Sequence, residues 1–300
     1  MLGPLLFLLY VNDIPNSVPS QKVKLFADDI NLFVTGETVL SATTAASEGI
    51  NQLNNWFLAN KLSLSIDKTC YMVFPSGKDA DIRISVDGIE IQKVSHCRYL
   101  GVTIDDKLKW SEHIQGICSK LIRYVSIFYK LKNKLPATVL TSIYYAFVQP
   151  HLLYAIEIYA NTSQIHLDRL MKLNNKLLRI LQNKPLRTPV TKLYSKYNTL
   201  PITDLHQQQL LLLVHKFINQ PDKLPEVFEN YFELNRTVHT HGTRSSDDVH
   251  IFRVNSALGQ RCIKYKAATL WNKLPHEIKE LRSVHLFKSR FKSHIYSDLQ

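Results

Sequence analysis

The chain has 300 residues, a formal net charge of +12 and an apolar fraction of 45%. With only 9 Gly and 12 Pro, this composition excludes collagen-like and low-complexity chains and predicts one large or two ordinary globular domains. Four cysteines without paired spacing exclude a zinc ribbon and a secreted disulfide framework, so we expect packing cysteines in an intracellular protein.

The first eleven residues form the longest apolar run of the chain. The run is too short to cross a bilayer, and it lacks the basic start and the small-residue cleavage site of a signal peptide. We therefore predict that residues 1–11 are a buried segment of the fold, and that the protein has no membrane association.

Strand and turn patterns dominate the first 110 residues. Residues 23–34 read as strand, acidic turn and strand, with Asp28 and Asp29 at the tip of a hairpin. Residues 45–60 have helical spacing, and residues 70–74 and 98–104 read as strands. Residues 82–91 alternate around Asp87-Gly88, a pair that favours a type I′ hairpin turn. This region is predicted to be mixed α and β.

Helical spacing dominates the remainder of the chain. Ser111 is a candidate cap for a first helix, and Pro150 is expected to end a second one that starts after Pro136. Residues 236–248 are polar and are predicted to form a loop, in which His239 and His241 are expected to be surface residues. The predicted helices cover residues 111–131, 137–149, 163–183, 203–219, 264–272 and 284–295.

The charge is distributed unevenly along the chain. Residues 1–110 carry ten Lys and Arg against twelve Asp and Glu, whereas residues 111–300 carry 27 against 13. No acidic residue occurs between Glu112 and Glu157 or between Asp168 and Asp204. Long acid-free basic stretches are typical of contacts with nucleic-acid phosphates, although a solvated helix face is the alternative.

Two sets of residues in the basic region are candidates for nucleic-acid binding. Tyr194 and Tyr197, placed between lysines, are candidates for stacking on unpaired bases. The other set consists of cations on helical spacing that would follow the phosphate backbone: Lys120, Arg123, Arg169, Lys172, Lys176 and Arg179.

The adjacent carboxylates of Asp28 and Asp29 are candidates for metal binding. Two like charges between apolar strands repel each other unless a cation neutralises them, and oxygen ligands suit Mg²⁺ or Mn²⁺. A two-metal phosphoryl-transfer site would require a further carboxylate from another strand. The alternative is that the pair only stabilises a turn through side-chain to backbone hydrogen bonds.

The order of several motifs resembles the palm of reverse transcriptases, in particular those of non-LTR, LINE-type retrotransposons of the jockey kind. The motifs are Leu2-Gly3-Pro4 with the apolar run up to Pro15, Phe26-Ala27-Asp28-Asp29, Trp56 with Asn60-Lys61-Leu62, Lys68-Thr69 and Tyr99 to Asp105. Later segments around Trp110, residues 144–154, Leu200-Pro201 and Trp271 to Phe291 resemble the thumb and the C-terminal tail of the same elements.

The resemblance assigns roles to individual residues. Gly3, Pro4, Phe26 and Ala27 would lie against template and incoming nucleotide. Asp28 and Asp29 would be catalytic metal ligands, and Lys68 a catalytic residue that protonates the pyrophosphate leaving group. Tyr99, Leu100 and Gly101 would form the primer grip.

The resemblance also implies a fold and partners. We expect an α+β chain with a partial palm, made of an antiparallel sheet with a helix, over residues 1–107. A helical thumb-like domain would follow over residues 108–200 and a helical tail over residues 201–300. The implied cofactor is Mg²⁺ or Mn²⁺. The implied partners are an RNA template and a DNA primer, with the N-terminal part of a polymerase as a further candidate.

Three functional hypotheses follow from these patterns. The first is a reverse-transcriptase fragment that is inactive alone, because the fingers and the first catalytic aspartate would lie outside this chain; Asp13 does not match that aspartate. The second is a non-catalytic RNA- or DNA-binding module that uses the basic helices. The third is an unrelated metal-dependent phosphohydrolase, which would need further ligands beside Asp28 and Asp29.

Overall fold

A computed structural model describes residues 2–74, 82–238 and 246–298 and shows an α+β fold. The strands are β1 (Lys22–Phe26), β2 (Asp29–Phe33), β3 (Cys70–Tyr71), β4 (Ser85–Val86), β5 (Ile89–Glu90), β6 (Gln92–Lys93), β7 (His96–Tyr99) and β8 (Val102–Asp105). The longer helices are α1 (Leu2–Tyr10), α2 (Val39–Ala59), α3 (Ser111–Leu131), α7 (Gln164–Leu181), α9 (Ile202–Asn219), α12 (Ile263–Asn272) and α14 (Val284–Asp298). The shorter helices are α4 (Ala137–Ile143), α5 (Gln149–Leu153), α6 (Ile156–Tyr159), α8 (Thr191–Lys196), α10 (Asn235–Val238), α11 (Ala257–Gln260) and α13 (His276–Lys279).

The chain divides into two compact units. The N-terminal unit comprises residues 1–99 and 104–107, and the C-terminal unit comprises residues 100–103 and 108–300. The division falls within the hairpin formed by β7 and β8. Residues 108–200 and 201–300 lie together in the C-terminal unit. No helix in the described part of the chain is long and apolar enough to span a membrane.

The N-terminal unit has two small apolar cores. In the first, Val23 of the β1–β2 hairpin packs with Ile14 and with Leu53 and Phe57 of α2. The second core contains the alternating side chains of the β4–β5 region, and its buried members are Ile82, Ile84, Val86 and Ile91. Both strand pairs therefore use the period-2 pattern to turn one face inward.

The Asp87-Gly88 hairpin is confirmed. Val86 pairs with Ile89 in an antiparallel register, and the two turn residues have φ values of 50° and 78°. Positive φ at both central positions is the requirement of a type I′ turn. The half-buried hydrogen bond from Asn54 Nδ2 to Asp87 Oδ2, 2.8 Å long, ties this turn to α2.

Three predicted elements of the N-terminal unit differ in extent. Helix α2 begins at Val39, because Thr38 accepts a hydrogen bond from the Ser41 amide and forms a capping box with it. The strand predicted over residues 70–74 is limited to β3, which pairs in parallel with β6. The strand predicted over residues 98–104 is instead a hairpin, because Leu100 and Gly101 adopt positive φ.

The prediction that residues 1–11 are buried is wrong for most of the segment. Helix α1 has no buried residue, and its leucines are 49–66% exposed. Val11, which follows the helix, is buried at 3% exposure in the first core. A helix that is apolar on all sides is expected to be buried, so the exposure of α1 is not predictable from its own composition, whereas the burial of Val11 is confirmed.

The C-terminal unit is built on the contact between α3 and α7. The predicted apolar stripe of α3 is largely confirmed, because Ile114, Ile117, Leu121 and Phe128 are buried, whereas Val125 and Leu131 are partly exposed. In α7 the buried members of the predicted stripe are Leu170, Leu177 and Leu181, and Leu173 is partly exposed. Helical spacing therefore located this interface from sequence.

Two predicted helix ends in this unit are wrong. Ser111 is the first residue of α3, and Trp110, with φ of 63°, occupies the cap position. Pro150 does not end a helix, because residues 144–148 form a π-turn and α5 continues through the proline. The wider π-turn, in which the Gln149 amide bonds to Tyr144 O, gives the proline ring a place in the first turn of α5.

Helix α9 is the centre of the remaining helices and contacts α5, α6, α12 and α14. On its buried side His215 packs against Phe287, with ring centroids 4.6 Å apart, and Phe287 stacks on Trp271 at 5.9 Å. Asn272 donates to Val249 O and accepts from Val249 N. The predicted polar loop starts with α10, and residues 239–245, with His239 and His241, lie outside the described residues.

Candidate catalytic hairpin and nucleic-acid interface

The two adjacent carboxylates lie at the end of the β1–β2 hairpin. The antiparallel register pairs Phe26 with Asp29, so that Ala27 and Asp28 form a two-residue turn. Both carboxylates are exposed, and Phe26 is 60% exposed. The hairpin predicted from sequence is confirmed, and it presents the acidic pair to solvent.

The turn places an alanine in an unfavourable backbone conformation. Ala27 has φ of 52°, in the left-handed region, which costs a residue with a β-carbon about 1–2 kcal/mol relative to the right-handed region. Glycine would adopt this φ without that penalty. The tight two-residue turn of the hairpin accounts for this conformation.

The acidic pair alone does not fit a two-metal centre. No group of three or more His, Cys, Asp or Glu side chains that could hold a metal ion occurs within residues 2–74, 82–238 and 246–298. Phosphoryl transfer by two ions requires more protein oxygens than two carboxylates supply. The Mg²⁺ or Mn²⁺ expected from the motif is therefore not supported by a complete ligand set, and neither is the phosphohydrolase hypothesis.

The other predicted palm residues lie at exposed positions. Gly3 and Pro4 are exposed on α1, and Lys68 is exposed at the end of the 3-10 turn formed by Ile66–Lys68. Neither a hydrogen bond nor an ion pair joins Lys68 to Asp28 or Asp29 in the described ranges. The structure thus shows the accessibility of these side chains, whereas their catalytic roles stay predictions.

The structure brings two of the palm motifs together through an aromatic contact. Tyr10, at the end of α1, lies edge-on to Trp56 of α2 with ring centroids 6.5 Å apart. The Tyr10 hydroxyl donates to Asn60 O, the backbone carbonyl that follows α2. The first motif is therefore fixed to the end of α2, and an aromatic residue in each segment was the only sequence signal of this contact.

The predicted primer-grip residues form a tight turn. Leu100 and Gly101 have φ values of 46° and 78°. The Tyr154 hydroxyl donates to Leu100 O at 2.6 Å, and its ring lies 3.4 Å from where a β-carbon on Gly101 would be. Tyr154 thus supports this turn, a role that sequence reasoning missed because the two segments are about fifty residues apart.

The predicted phosphate-binding cations fall into two groups. Lys120, Arg123 and Lys172 are exposed, and neither they nor the half-exposed Lys176 form an ion pair in the described part of the chain. The other two cations have partners in the fold: Arg169 donates to Gln115 Oε1 at 2.6 Å, and Arg179 donates to Thr188 O at 2.9 Å. Four of the six cations are therefore free to contact an anion.

The prediction that Tyr194 and Tyr197 stack on unpaired bases is wrong. Their rings are only 2% and 3% exposed. Burial raises the pKa of the Tyr194 hydroxyl, which accepts a hydrogen bond from Asn174 Nδ2 at 3.2 Å. Both side chains belong to the core. Tyr194 lies on α8, which contacts α7, and Tyr197 directly follows the end of α8.

Comparison with known proteins addresses the region that contains the hairpin. Residues 1–104 match the family described as reverse transcriptase (RNA-dependent DNA polymerase). Over these residues the chain is therefore similar to reverse transcriptases. The match includes the segment of α1, the Asp28-Asp29 hairpin and the turn at Leu100, all of which the sequence motifs identified.

Curated relatives extend the similarity beyond this domain. The chain is 26% identical over 196 residues to the RNA-directed DNA polymerase from mobile element jockey of Drosophila melanogaster, which covers 62% of this chain and 21% of that protein. It is 23% identical over 188 residues to the probable RNA-directed DNA polymerase from transposon X-element of the same species, covering 60% and 21%. The predicted resemblance to non-LTR retrotransposon polymerases is confirmed.

These relatives are much longer than the chain. It spans about a fifth of the length of the jockey and X-element proteins, and 23% of the probable polymerase from transposon BS. No solved structure matches the chain. The comparisons therefore show similarity to reverse transcriptases over part of the chain, whereas the activity of a whole polymerase is a matter for proposal.

Proposed function

We propose that this chain is a segment of a non-LTR retrotransposon RNA-directed DNA polymerase. Its N-terminal unit would supply part of the palm, and its C-terminal unit a thumb-like domain with the tail. The observation that carries this proposal is the exposed Asp28-Asp29 pair on a hairpin inside the region that matches the reverse transcriptase family.

The hairpin geometry supports the palm role. The β1–β2 register places Asp28 in the two-residue turn and Asp29 at the first paired position of β2, and both carboxylates are exposed. An exposed acidic pair is accessible to a nucleotide that approaches with its metal ions. In this proposal Asp28 and Asp29 are metal-facing carboxylates, and Lys68 donates a proton to the pyrophosphate leaving group.

The same observations support the absence of polymerase activity in this chain alone. The described residues offer no third ligand to complete the acidic pair. Electrostatic stabilisation of the transferred phosphoryl group requires the charges to be held in place before reaction, and two exposed carboxylates do not hold two ions. We therefore expect residues 1–300 to extend a primer poorly or not at all.

The C-terminal unit supports binding of a template and primer. The residues after 110 hold 27 Lys and Arg against 13 Asp and Glu, and Lys120, Arg123 and Lys172 are exposed without an ion pair in the described ranges. Contacts with phosphates are independent of sequence and weaken as salt rises, because binding releases counterions. The relatives are named RNA-directed DNA polymerases, which agrees with an RNA template and a DNA primer as the proposed partners.

The second candidate function is a nucleic-acid-binding module without catalysis. It is favoured by the difference between the two units, because the incomplete acidic site is in one and the free cations are in the other. Both candidates predict salt-dependent binding. They differ in whether the carboxylates of the hairpin contribute to any reaction.

The test combines primer extension with binding on the same samples. Primer extension on an RNA template would be measured with Mg²⁺ and with Mn²⁺ for the parent chain and for the double variant Asp28→Asn/Asp29→Asn. The matched control is Glu226→Gln/Glu229→Gln, which removes the same charge from two exposed positions of the other unit. Affinity would be titrated against salt for each protein.

We expect no extension above background and a binding constant that falls steeply with salt. Extension by the parent that the hairpin variant loses and the control keeps would contradict the inactivity of the chain. Absence of salt-dependent binding would contradict both candidate functions, since each of them requires the basic C-terminal unit to hold a polyanion.

A further inference from the structure

The C-terminal unit carries a group of aromatic rings that faces solvent. Tyr124 of α3 lies between Phe147 and His151, with ring centroids 6.2 Å and 6.0 Å away. The Tyr124 hydroxyl lies 3.3 Å from His151 Nε2, within hydrogen-bond distance. Phe147 is 51% exposed, and the other two rings are partly exposed. We refer to Tyr124, Phe147 and His151 as the aromatic platform.

The platform is supported from below by the core of the unit. Tyr124 stacks on Phe128 with ring centroids 5.8 Å apart and an angle of 20° between the planes, and Phe128 is 1% exposed. Because a buried ring fixes the inner side of Tyr124, the platform is an ordered surface. A preformed surface of this kind loses little side-chain entropy when a ligand covers it.

The π-turn accounts for the exposure of Phe147. Tyr144 and Val148, at the two ends of the π-turn, are fully buried, whereas Phe147 points outward. A single π-turn within a helix is rare and occurs often at functional sites. Tyr145, in the same π-turn, is held by a hydrogen bond that its hydroxyl donates to Asn198 O at 3.0 Å. Phe147 has no polar side-chain atom, so no hydrogen bond accounts for the position of its ring.

Positive charge lies beside the platform. Lys120 is one turn before Tyr124 on α3, is exposed, and helps to lower the pKa of His151, although burial of the ring is the larger cause. Arg123 is exposed and precedes Tyr124 in α3, so its long side chain projects from an adjoining part of the helix surface. No acidic residue lies between Glu112 and Glu157, a segment that contains all five of these side chains. The surroundings therefore attract a negatively charged partner rather than a neutral one.

We propose that the aromatic platform is a stacking site for unpaired nucleobases of a single-stranded nucleic acid, and that Lys120 and Arg123 contact the flanking phosphates. The proposal rests on the nucleic-acid binding proposed above and specifies which surface takes the bases. Flat rings beside cations are the arrangement by which proteins hold single strands without sequence preference. Paired bases in a duplex present no free face to such rings, so the site would select single strands.

The experiment separates stacking from phosphate contact. Affinities would be measured by fluorescence anisotropy for a single-stranded oligonucleotide and for a strand of equal phosphate number in which the central positions are abasic. The variants are Phe147→Ala, Phe147→Leu, which keeps an apolar side chain, and Phe147→Trp, which keeps a ring. The matched control is Ile165→Ala, an exposed apolar position of the same unit with 79% exposure.

We expect Phe147→Ala and Phe147→Leu to weaken binding of the single strand roughly fivefold to a hundredfold, the range of one base stacked on an aromatic ring. Phe147→Trp and Ile165→Ala should bind as the parent does. The abasic strand should bind more weakly than the intact strand to the parent, and equally to the parent and to all Phe147 variants.

Three results would overturn the proposal, and they can be told apart. Equal affinity of the parent and Phe147→Ala for the intact strand, with salt-dependent binding retained, would contradict base stacking on the platform but not the proposed function. If neither strand binds in a salt-dependent way, both the proposed function and base stacking on the platform are contradicted. A loss of affinity for the abasic strand in Phe147→Ala would also contradict stacking.

Discussion

Helices α1 and α9 are both rich in leucine, but they differ in the burial of their side chains. Every residue of α1 is exposed, whereas α9 buries Leu205, Leu210, Leu211, Leu212 and Val214. Helix α9 also buries polar side chains, among them His206 and His215, because other helices contact it on several sides. Apolar composition therefore shows that a helix is suited to burial, and the neighbours decide whether burial occurs.

The two helices also differ in what they do for their units. Helix α1 begins the reverse-transcriptase region, and its last residue contacts Trp56 and Asn60. Helix α9 contacts α5, α6, α12 and α14 in the C-terminal unit. The N-terminal unit thus exposes residues for a proposed reaction, whereas α9 in the C-terminal unit is buried by the helices packed around it.

The largest expected effect is that of removing a side chain from α9. Leu210→Ala should lower the free energy of unfolding by about 2–5 kcal/mol, because Leu210 is fully buried and the substitution leaves a cavity. Urea denaturation monitored by circular dichroism would measure the change. A loss below about 1 kcal/mol would show that α9 is not part of a close-packed core.

The pH dependence of stability should depend on His206, which is 3% exposed. Burial, with a smaller contribution from Lys266, lowers the pKa of His206 to about 3 from 6.5. Between these values the unfolded chain binds a proton that the folded chain does not, so stability is present above pH 6.5 and is lost as the pH falls. His206 therefore lowers the free energy of unfolding at pH 4.5 by roughly 2–3 kcal/mol relative to its value above pH 6.5.

A comparison of the parent with His206→Gln isolates this term. Asp204, whose pKa burial raises to about 6, acts in the opposite sense, because its folded form takes up a proton first as the pH falls. Asp204 is present in both proteins, so the difference between their pH profiles reports on His206. Parallel profiles between pH 7 and pH 4.5 would contradict the burial of a neutral imidazole.

The smallest effect is expected on α1. Leu9→Lys, at a position 66% exposed, should change the free energy of unfolding by less than about 0.5 kcal/mol, as is usual for surface substitutions. The added charge should also slow self-association, because exposed apolar patches promote it. A loss comparable to that of Leu210→Ala would show that α1 is covered in solution.

Sequence patterns located the elements whose signals are local. The Asp87-Gly88 turn, the stripes of α3 and α7 and the Asp28-Asp29 hairpin were predicted from the spacing of neighbouring residues. Features that depend on distant contacts were not predictable in this way. The burial of Tyr194 and the support of Leu100 by Tyr154 each depend on a partner that lies elsewhere in the chain. The exposure of α1 depends on whether other elements cover it, which its own sequence does not show.

The candidate site shows the same division. Asp28 and Asp29 were identified from their type and their flanking strands, and their exposure agrees with the predicted hairpin. Of the predicted phosphate-binding residues, Arg169 and Arg179 have hydrogen-bond partners in the fold, which periodicity alone does not reveal. The aromatic platform was missed because its rings come from α3 and from the helical segment that contains the π-turn, where no local pattern joins them.

The most direct test of the central claim is the salt dependence of single-strand binding in two charge-matched variants. One neutralises Lys120, Arg123, Lys172 and Lys176 in the C-terminal unit, and the other neutralises Lys22, Lys24, Lys61 and Lys93 in the N-terminal unit, all by substitution with Gln. We predict that the first reduces the slope of log affinity against log salt by about 3, the value for four phosphate contacts, and that the second leaves it nearly unchanged. Equal slopes in the two variants, or a larger change in the second, would contradict the assignment of nucleic-acid binding to the C-terminal unit.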